Sequence, residues 1–226
     1  MGTLSLSKMG RLFWLGRYME RTYTTIRAIK PIADPYVDGR EGDYAEYCRR
    51  LSIANTFSNT AEFLSGYLFD SANPNSVVSS LHYAYDNAIV LRETISSETL
   101  SYIHMAMYAM KLASQSEAAE VELQWVLDDI MAFRGSCCEQ IADDVSRNII
   151  NTGTSVERVD LYLRLGYDRA VVKTEMEKLL NRLYKSQMEP DRARLNALVD
   201  MALDKDVPSI SVAEQIACVE GLFPNV

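Results

Sequence analysis

Two stretches of the chain share one charged pattern. Gly16-Arg17-Tyr18-Met19-Glu20-Arg21 and Gly153-Thr154-Ser155-Val156-Glu157-Arg158 both read G-x-x-[MV]-E-R. Downstream, Ile26-Arg27 matches Leu163-Arg164, and the two copies lie 137 residues apart, which points to an internal duplication. Arginine presents a planar fork of N–H donors that grips a carboxylate or phosphate, while a nearby glutamate can accept a proton or orient an amine. Glu20 and Glu157 are therefore candidate catalytic groups. Arg17, Arg21, Arg158 and Arg164 are candidate binding groups. The same residues can also form a structural lattice, in which Glu of one copy bonds Arg of the other and fixes how two long helices cross. Both readings stand on the residues alone.

Helices must position these charges. On the first, Leu12, Leu15, Met19, Tyr23, Ile26 and Ile29 form an apolar arc, with Glu20 on one shoulder, Arg21 near the other and Arg17 on the polar side. Arg17 and Glu20, three residues apart, can pair along that helix. From Val156 to Val172 apolar residues occur nearly all round, as on a buried helix. Glu157, Arg164 and Asp168 nevertheless fall within about 40° of one another on its surface, and Arg158 and Arg169 share a second stripe. Charges on a buried helix must pair or line a polar cavity.

Several chemistries are excluded. A di-iron bundle needs Glu-x-x-His pairs, but Ser79 and Ser101 stand three residues before His82 and His104, the two histidines of the chain. That scarcity also removes a His-rich zinc site. No G-x-x-x-x-G-K-[ST] or G-x-S-x-G occurs. His82 and His104 read as core or helix-surface residues. Met105, Met107 and Met110, with Tyr102 and Tyr108, form a stripe better read as core than as a cofactor box. Cys48, Cys137, Cys138 and Cys218 show no C-x-x-C pair and read as reduced, partly buried thiols. No metal and no cofactor is expected.

The 226 residues are 48% hydrophobic and 24% charged, an ordinary globular composition. Lys plus Arg number 23 against 31 Asp plus Glu, a net charge of -8, which weighs against a general nucleic-acid binder. The Met1–Ser7 segment lacks the basic and apolar regions of a signal peptide, and Leu6 stands where a myristoylation signal needs Ser or Thr. The apolar run Ile103 to Met110 is far shorter than the ~20 residues of a membrane span. A cytoplasmic protein without membrane contact is expected, and a homo-oligomer is compatible with the sequence.

Few prolines and three- and four-residue apolar spacing predict an all-α, single-domain multi-helix bundle spanning 1–226. The first helix is predicted from Ser7 to Lys30, stopping at Pro31, with a mobile turn-rich segment over Ala33–Gly42. A second helical region covers Asp43 to Phe69, broken near Thr56–Thr60. Asn73 caps a helix with Pro74 at its first position, reaching Ile95, and Ser96-Ser97-Glu98 starts another to Ala113. Ser116 opens the longest helix, to Ile150, closed by Asn151-Thr152-Gly153. Ser155–Met188, Pro190–Leu203 and Ser211–Leu222 complete the series.

The residues together resemble the alpha-E domain family, a bacterial helical family with a repeated Glu-Arg motif. Leu12-Phe13-Trp14-Leu15-Gly16-Arg17-Tyr18-Met19-Glu20-Arg21 is similar to its opening signature. Asn73-Pro74-Asn75-Ser76-Val77 resembles its N-P-x-S-[IV] turn. Tyr85-Asp86-Asn87-Ala88 with Arg92-Glu93-Thr94-Ile95-Ser96 and Glu98 resembles its central helix pair, although Asp86 stands where the family has Glu. Glu157-Arg158 completes the pattern. The resemblance covers 7–172, leaving 173–226 as C-terminal helices.

The resemblance implies company rather than a defined reaction. Members are found beside, or fused to, a circularly permuted ATP-grasp protein and a transglutaminase-like cysteine protease, which implies a system that makes or trims amide bonds on a peptide or peptide-like product. Lacking nucleotide motifs, this chain would be the helical component, binding a peptide, amine or carboxylate substrate or the ligase itself, with Asn87 and Arg92 added to the binding candidates. The rival is a non-catalytic bundle whose Glu-Arg pairs are architectural. An independent hydrolase using a Glu is a third possibility.

Overall fold

The sequence alternates helix-length apolar stripes with short capped breaks, and the computed structural model follows that pattern with eleven helices and no strand among the described residues, which are 4–116, 118–203 and 210–226. Met1–Thr3, part of the segment read for targeting signals, lie outside them. The chain forms two compact units, Met1–Arg17 with Ala142–Val226 and Tyr18–Ile141, and the boundary falls inside the first helix.

That helix, α1 (Leu6–Val37), passes through Pro31 instead of stopping there. A proline inside a helix costs one hydrogen bond and a clash, roughly 3 kcal/mol. Ile29 and Ile32 flank Pro31 and are both buried, so apolar burial continues across it and offsets that cost. The predicted loop over Ala33–Gly42 is consequently shorter. It begins after Val37, where Gly39 takes a left-handed φ of 74° and the N–H of Arg40 returns to the carbonyl of Pro35.

The unit Tyr18–Ile141 continues with α2 (Tyr44–Leu51), capped by Asp43, and α3 (Thr60–Phe69), capped by Asn59. Their apolar faces meet in an aromatic cluster around fully buried Phe63, whose ring lies 5.3–5.7 Å from those of Tyr44, Tyr47, Phe57 and Tyr67. The next helix, α4 (Val77–Val90), is capped by Ser76, not Asn73. Asn73 instead folds the preceding turn, its side chain accepting from the N–H of Asn75. Helix α4 stops at Val90, and a single turn, α5 (Arg92–Ile95), carries the chain to Ser96, which caps α6 (Ser97–Ala113) as expected. Helices α6 and α7 (Ala119–Gln140) pack as a helical hairpin, with α4 against α6.

The other unit is built from the start of α1 and from α8 (Asp144–Leu165), α9 (Arg169–Ser186), α10 (Arg192–Ala202) and α11 (Val212–Glu220). The long helix predicted from Ser116 to Ile150 is therefore two. Ile141 is extended and buried, and Asp143 starts α8 by accepting from the N–H of Ser146. Gly153 does not close a helix; it lies inside α8. The predicted Ser155–Met188 helix is also divided, because Gly166 adopts a left-handed φ of 73° and Asp168 caps α9. Asp168 thus leaves the stripe assigned to it with Glu157 and Arg164. Helix α11 opens with a reciprocal cap between Ser211 and Glu214.

Candidate functional site

The motif glycines explain themselves first. Within the unit that holds both, α1 crosses α8 so closely that a Cβ on Gly16 would run into the carbonyl of Ile150, and a Cβ on Gly153 into the carbonyl of Phe13. Only hydrogen side chains permit that approach. The crossing sets the residue after Gly16 against α8, and there Arg17 Nε donates to Glu157 Oε2 at 2.6 Å. The Glu157 side chain is fully buried and Arg17 nearly so, with the guanidinium 4.8 Å from the ring of Trp14.

One turn along α8, the charges continue. Asp160 accepts from Arg164 Nε at 3.0 and 3.1 Å, and Arg164 Nη2 reaches Glu220 at 2.5 Å. Burial, with Glu157 beside it, raises the Asp160 carboxyl above its ordinary range, while Arg164 and Arg17 pull it back. Arg158 points elsewhere, to Glu175 at 3.3 Å, which also holds Lys178 at 2.7 Å. Burial opposes ionisation of Glu175, but the hydrogen bond from Lys178 and the charge of Arg158 prevail and hold it below the usual carboxylate range. Arg182 donates to Ser155 at 2.6 Å.

In the unit Tyr18–Ile141, Glu20 is 1% exposed and both its oxygens are engaged. Thr24 donates to Oε1 at 2.8 Å and Arg134 to Oε2 at 2.5 Å. Arg134 also lies 4.2 Å from the ring centre of Tyr23. Arg21 is near enough to Tyr67 for its charge to ease the phenol's ionisation, but burial dominates and pushes Tyr67 up to about 12. The Arg17–Glu20 pairing expected along the helix is thus replaced, each residue taking a partner from another helix.

The structure brings Arg17 and Glu157 together and sets Arg164 two turns further along α8, while Arg158 joins a separate cluster. Asn87 donates to the carbonyl of Tyr83, and exposed Arg92 lies 3.3 Å from Glu93. Sequence reasoning missed Asp160, Glu175, Glu220 and Arg134. Asp160 was findable, since it stands three residues after Glu157 and four before Arg164 on one helix. Arg134, 114 residues from Glu20 and outside any motif, left no such trace.

Elsewhere, the four cysteines are free, and burial raises the thiols of Cys48 and Cys137, which makes them poor nucleophiles. His82 and His104 are exposed on helices. The Met/Tyr stripe is core only in part: Met110 is buried, but Met105 and Tyr108 face solvent. Among the described residues, no group of three or more His, Cys, Asp or Glu is placed to hold a metal, and no helix is long and apolar enough to cross a membrane.

A family model described as a predicted alpha-helical domain with a conserved ER motif, Alpha-E, matches residues 7–202. The chain belongs to the Alpha-E family. The match runs beyond the expected 7–172, so the Alpha-E region takes in α9, with its Glu175 and Arg182, and α10. Comparison with curated proteins and with solved structures gives no significant match. In this Alpha-E chain the two motif acids, Glu20 and Glu157, each hold an arginine supplied by another helix.

Proposed function

We propose that this Alpha-E chain is the helical component of an ATP-grasp-linked system that forms or modifies amide bonds on a peptide or peptide-like substrate, acting beside a circularly permuted ATP-grasp protein and a transglutaminase-like cysteine protease. In this reading the motif acids do not move protons. They hold arginines, and the arginines with some exposure bind the carboxylate of a substrate or partner. The observation that carries the assignment is the engagement of both Glu20 oxygens, one by Thr24 and one by Arg134, whose side chain remains 22% exposed. A carboxylate so held offers little to a substrate amine, whereas a guanidinium fixed on one side can take a second carboxylate on the other. Arg158, held by Glu175, also keeps some exposure, whereas Arg164 is already engaged by two carboxylates, Asp160 and Glu220.

The test is tagged purification from the native host at low salt, where screened charge contacts survive, with identification of the co-eluting proteins. Recovery of an ATP-grasp protein, and ATP-dependent amide formation by the reconstituted pair, is the expected result. Arg134→Met should then lower amide formation more than Glu20→Gln does. If Glu20→Gln abolishes turnover while leaving substrate affinity intact, the acid is the proton acceptor and the arginine-holding role is wrong.

A second reading is favoured by Arg17–Glu157, which is closed off from solvent at a glycine crossing. That pair is architectural, and a chain whose other pairs behave likewise is a non-catalytic interaction bundle.

A further inference from the structure

The acids described above hold basic side chains, but two carboxylates on α7 do not. The Asp129 side chain makes no hydrogen bond or ion pair among the described residues, and the Asp128 carboxylate accepts only from Gln124, at 2.9 Å. Burial, with Asp128 next to it, raises the Asp129 carboxyl above its ordinary range. These two acids border a groove of about 500 Å³ along the α6–α7 hairpin, whose other walls are His104, Met105, Tyr108, Ala109, Leu112 and Trp125. Met105, Tyr108 and Trp125 are 52%, 64% and 48% exposed, a costly arrangement for large apolar side chains without an occupant. Neither Trp125 nor Tyr108 has a ring or hydrogen-bond partner among the described residues.

We infer that this groove binds the side chain of a lysine in a peptide. An aromatic face attracts a cation, and two unpaired carboxylates at the border neutralise one. Met105 and Leu112 supply apolar surface for the methylene stem, which a lysine buries while its ammonium meets the acids. A purely apolar occupant would leave Asp128 and Asp129 crowded together in a drier site, and an anionic one would be repelled. The net charge of -8 draws basic peptides to the surface in general, and the groove gives one basic side chain a specific seat. This site is independent of the Glu-Arg charges and does not rest on their proposed role.

The test uses the full chain and two capped tripeptides, acetyl-Leu-Lys-Leu-amide and its norleucine counterpart, followed by the indole N–H resonances of the chain's two tryptophans. Trp125→Phe assigns the Trp125 signal. The lysine peptide should move that signal saturably and leave Trp14 in place, and the norleucine peptide should bind about tenfold more weakly. Asp128→Asn with Asp129→Asn should bring the lysine peptide down to the norleucine level with the rest of the spectrum unchanged. Equal affinity for the two peptides, movement of Trp14 alone, or no saturable shift up to about 10 mM overturns the proposal.

Discussion

Gly16 and Gly153 make the same contact in opposite directions. Gly16 faces the backbone of Ile150 and Thr154 on α8, and Gly153 faces Phe13 and Arg17 on α1, so each glycine meets the residues three before and one after the other. A close helix crossing with this reciprocity has no flexible side chain to yield when a methyl group is added, since the obstructing atoms are backbone carbonyls. Gly16→Ala and Gly153→Ala should therefore each cost about 2–4 kcal/mol, although alanine is the better helix former. Gly135→Ala supplies the control. It lies inside α7 with nothing within 4 Å of its Cβ position, and the change should stabilise by about 0.5–1 kcal/mol. Urea unfolding of the three variants decides the matter, and a loss no larger at Gly16 and Gly153 than at an ordinary helical site sinks the crossing argument.

The two motif acids should differ in what their removal costs. Glu157→Gln leaves the Arg17 guanidinium buried without its counter-charge, worth about 3–5 kcal/mol. Glu20→Gln leaves Arg134, which keeps partial access to water and the face of Tyr23, so about 1–2 kcal/mol is expected. Replacing both partners of the buried pair, Arg17→Met with Glu157→Leu, should cost much less than the sum of the single changes. Equal losses for Glu157→Gln and Glu20→Gln would show that Arg17 finds water or another partner.

Much of this was legible in residue order because the signals were local. Caps such as Ser96 and Ser211 and the stripe Leu12, Leu15, Met19, Ile26 and Ile29 are set by neighbours a few positions away, and the structure keeps them. The failures share the opposite cause. Pro31 predicts a stop because its local cost is plain, whereas the burial that offsets it comes from packing. Gly153 predicts a helix end because glycine commonly ends helices, whereas its reason here is the backbone of Phe13, 140 residues away. The Glu-Arg motif announced charge pairing but not which partners, since Arg134, Glu175 and Glu220 come from other helices.

The cysteines should separate by accessibility alone. Cys138 is exposed, Cys218 is half-buried, and Cys48 and Cys137 are buried with thiols pushed up by burial. Titration of the native protein with a chromogenic disulfide at pH 8 should give one fast thiol, one slower, and two that react only after unfolding. Rapid reaction of all four would mean that α2 and α7 both open readily.

Acid should act on Glu175 and Asp160 in opposite senses. Glu175 is held below its ordinary value of 4.5 in the fold by Lys178 and Arg158, which overcome its burial. Its stabilising contribution is present above that value and is lost as pH falls through the folded one. Asp160 is raised above 3.8, chiefly by burial, so the folded state takes up its proton first and that residue's contribution grows as pH falls through the folded value. Glu175→Gln should therefore make stability fall less steeply on acidification below its ordinary value of 4.5, and Asp160→Asn should make it fall more steeply above that residue's ordinary value of 3.8. Urea midpoints measured in half-unit steps from pH 7 downward test both signs. Slopes that change in the same direction in the two variants would mean that Arg164 and Arg17 outweigh burial at Asp160.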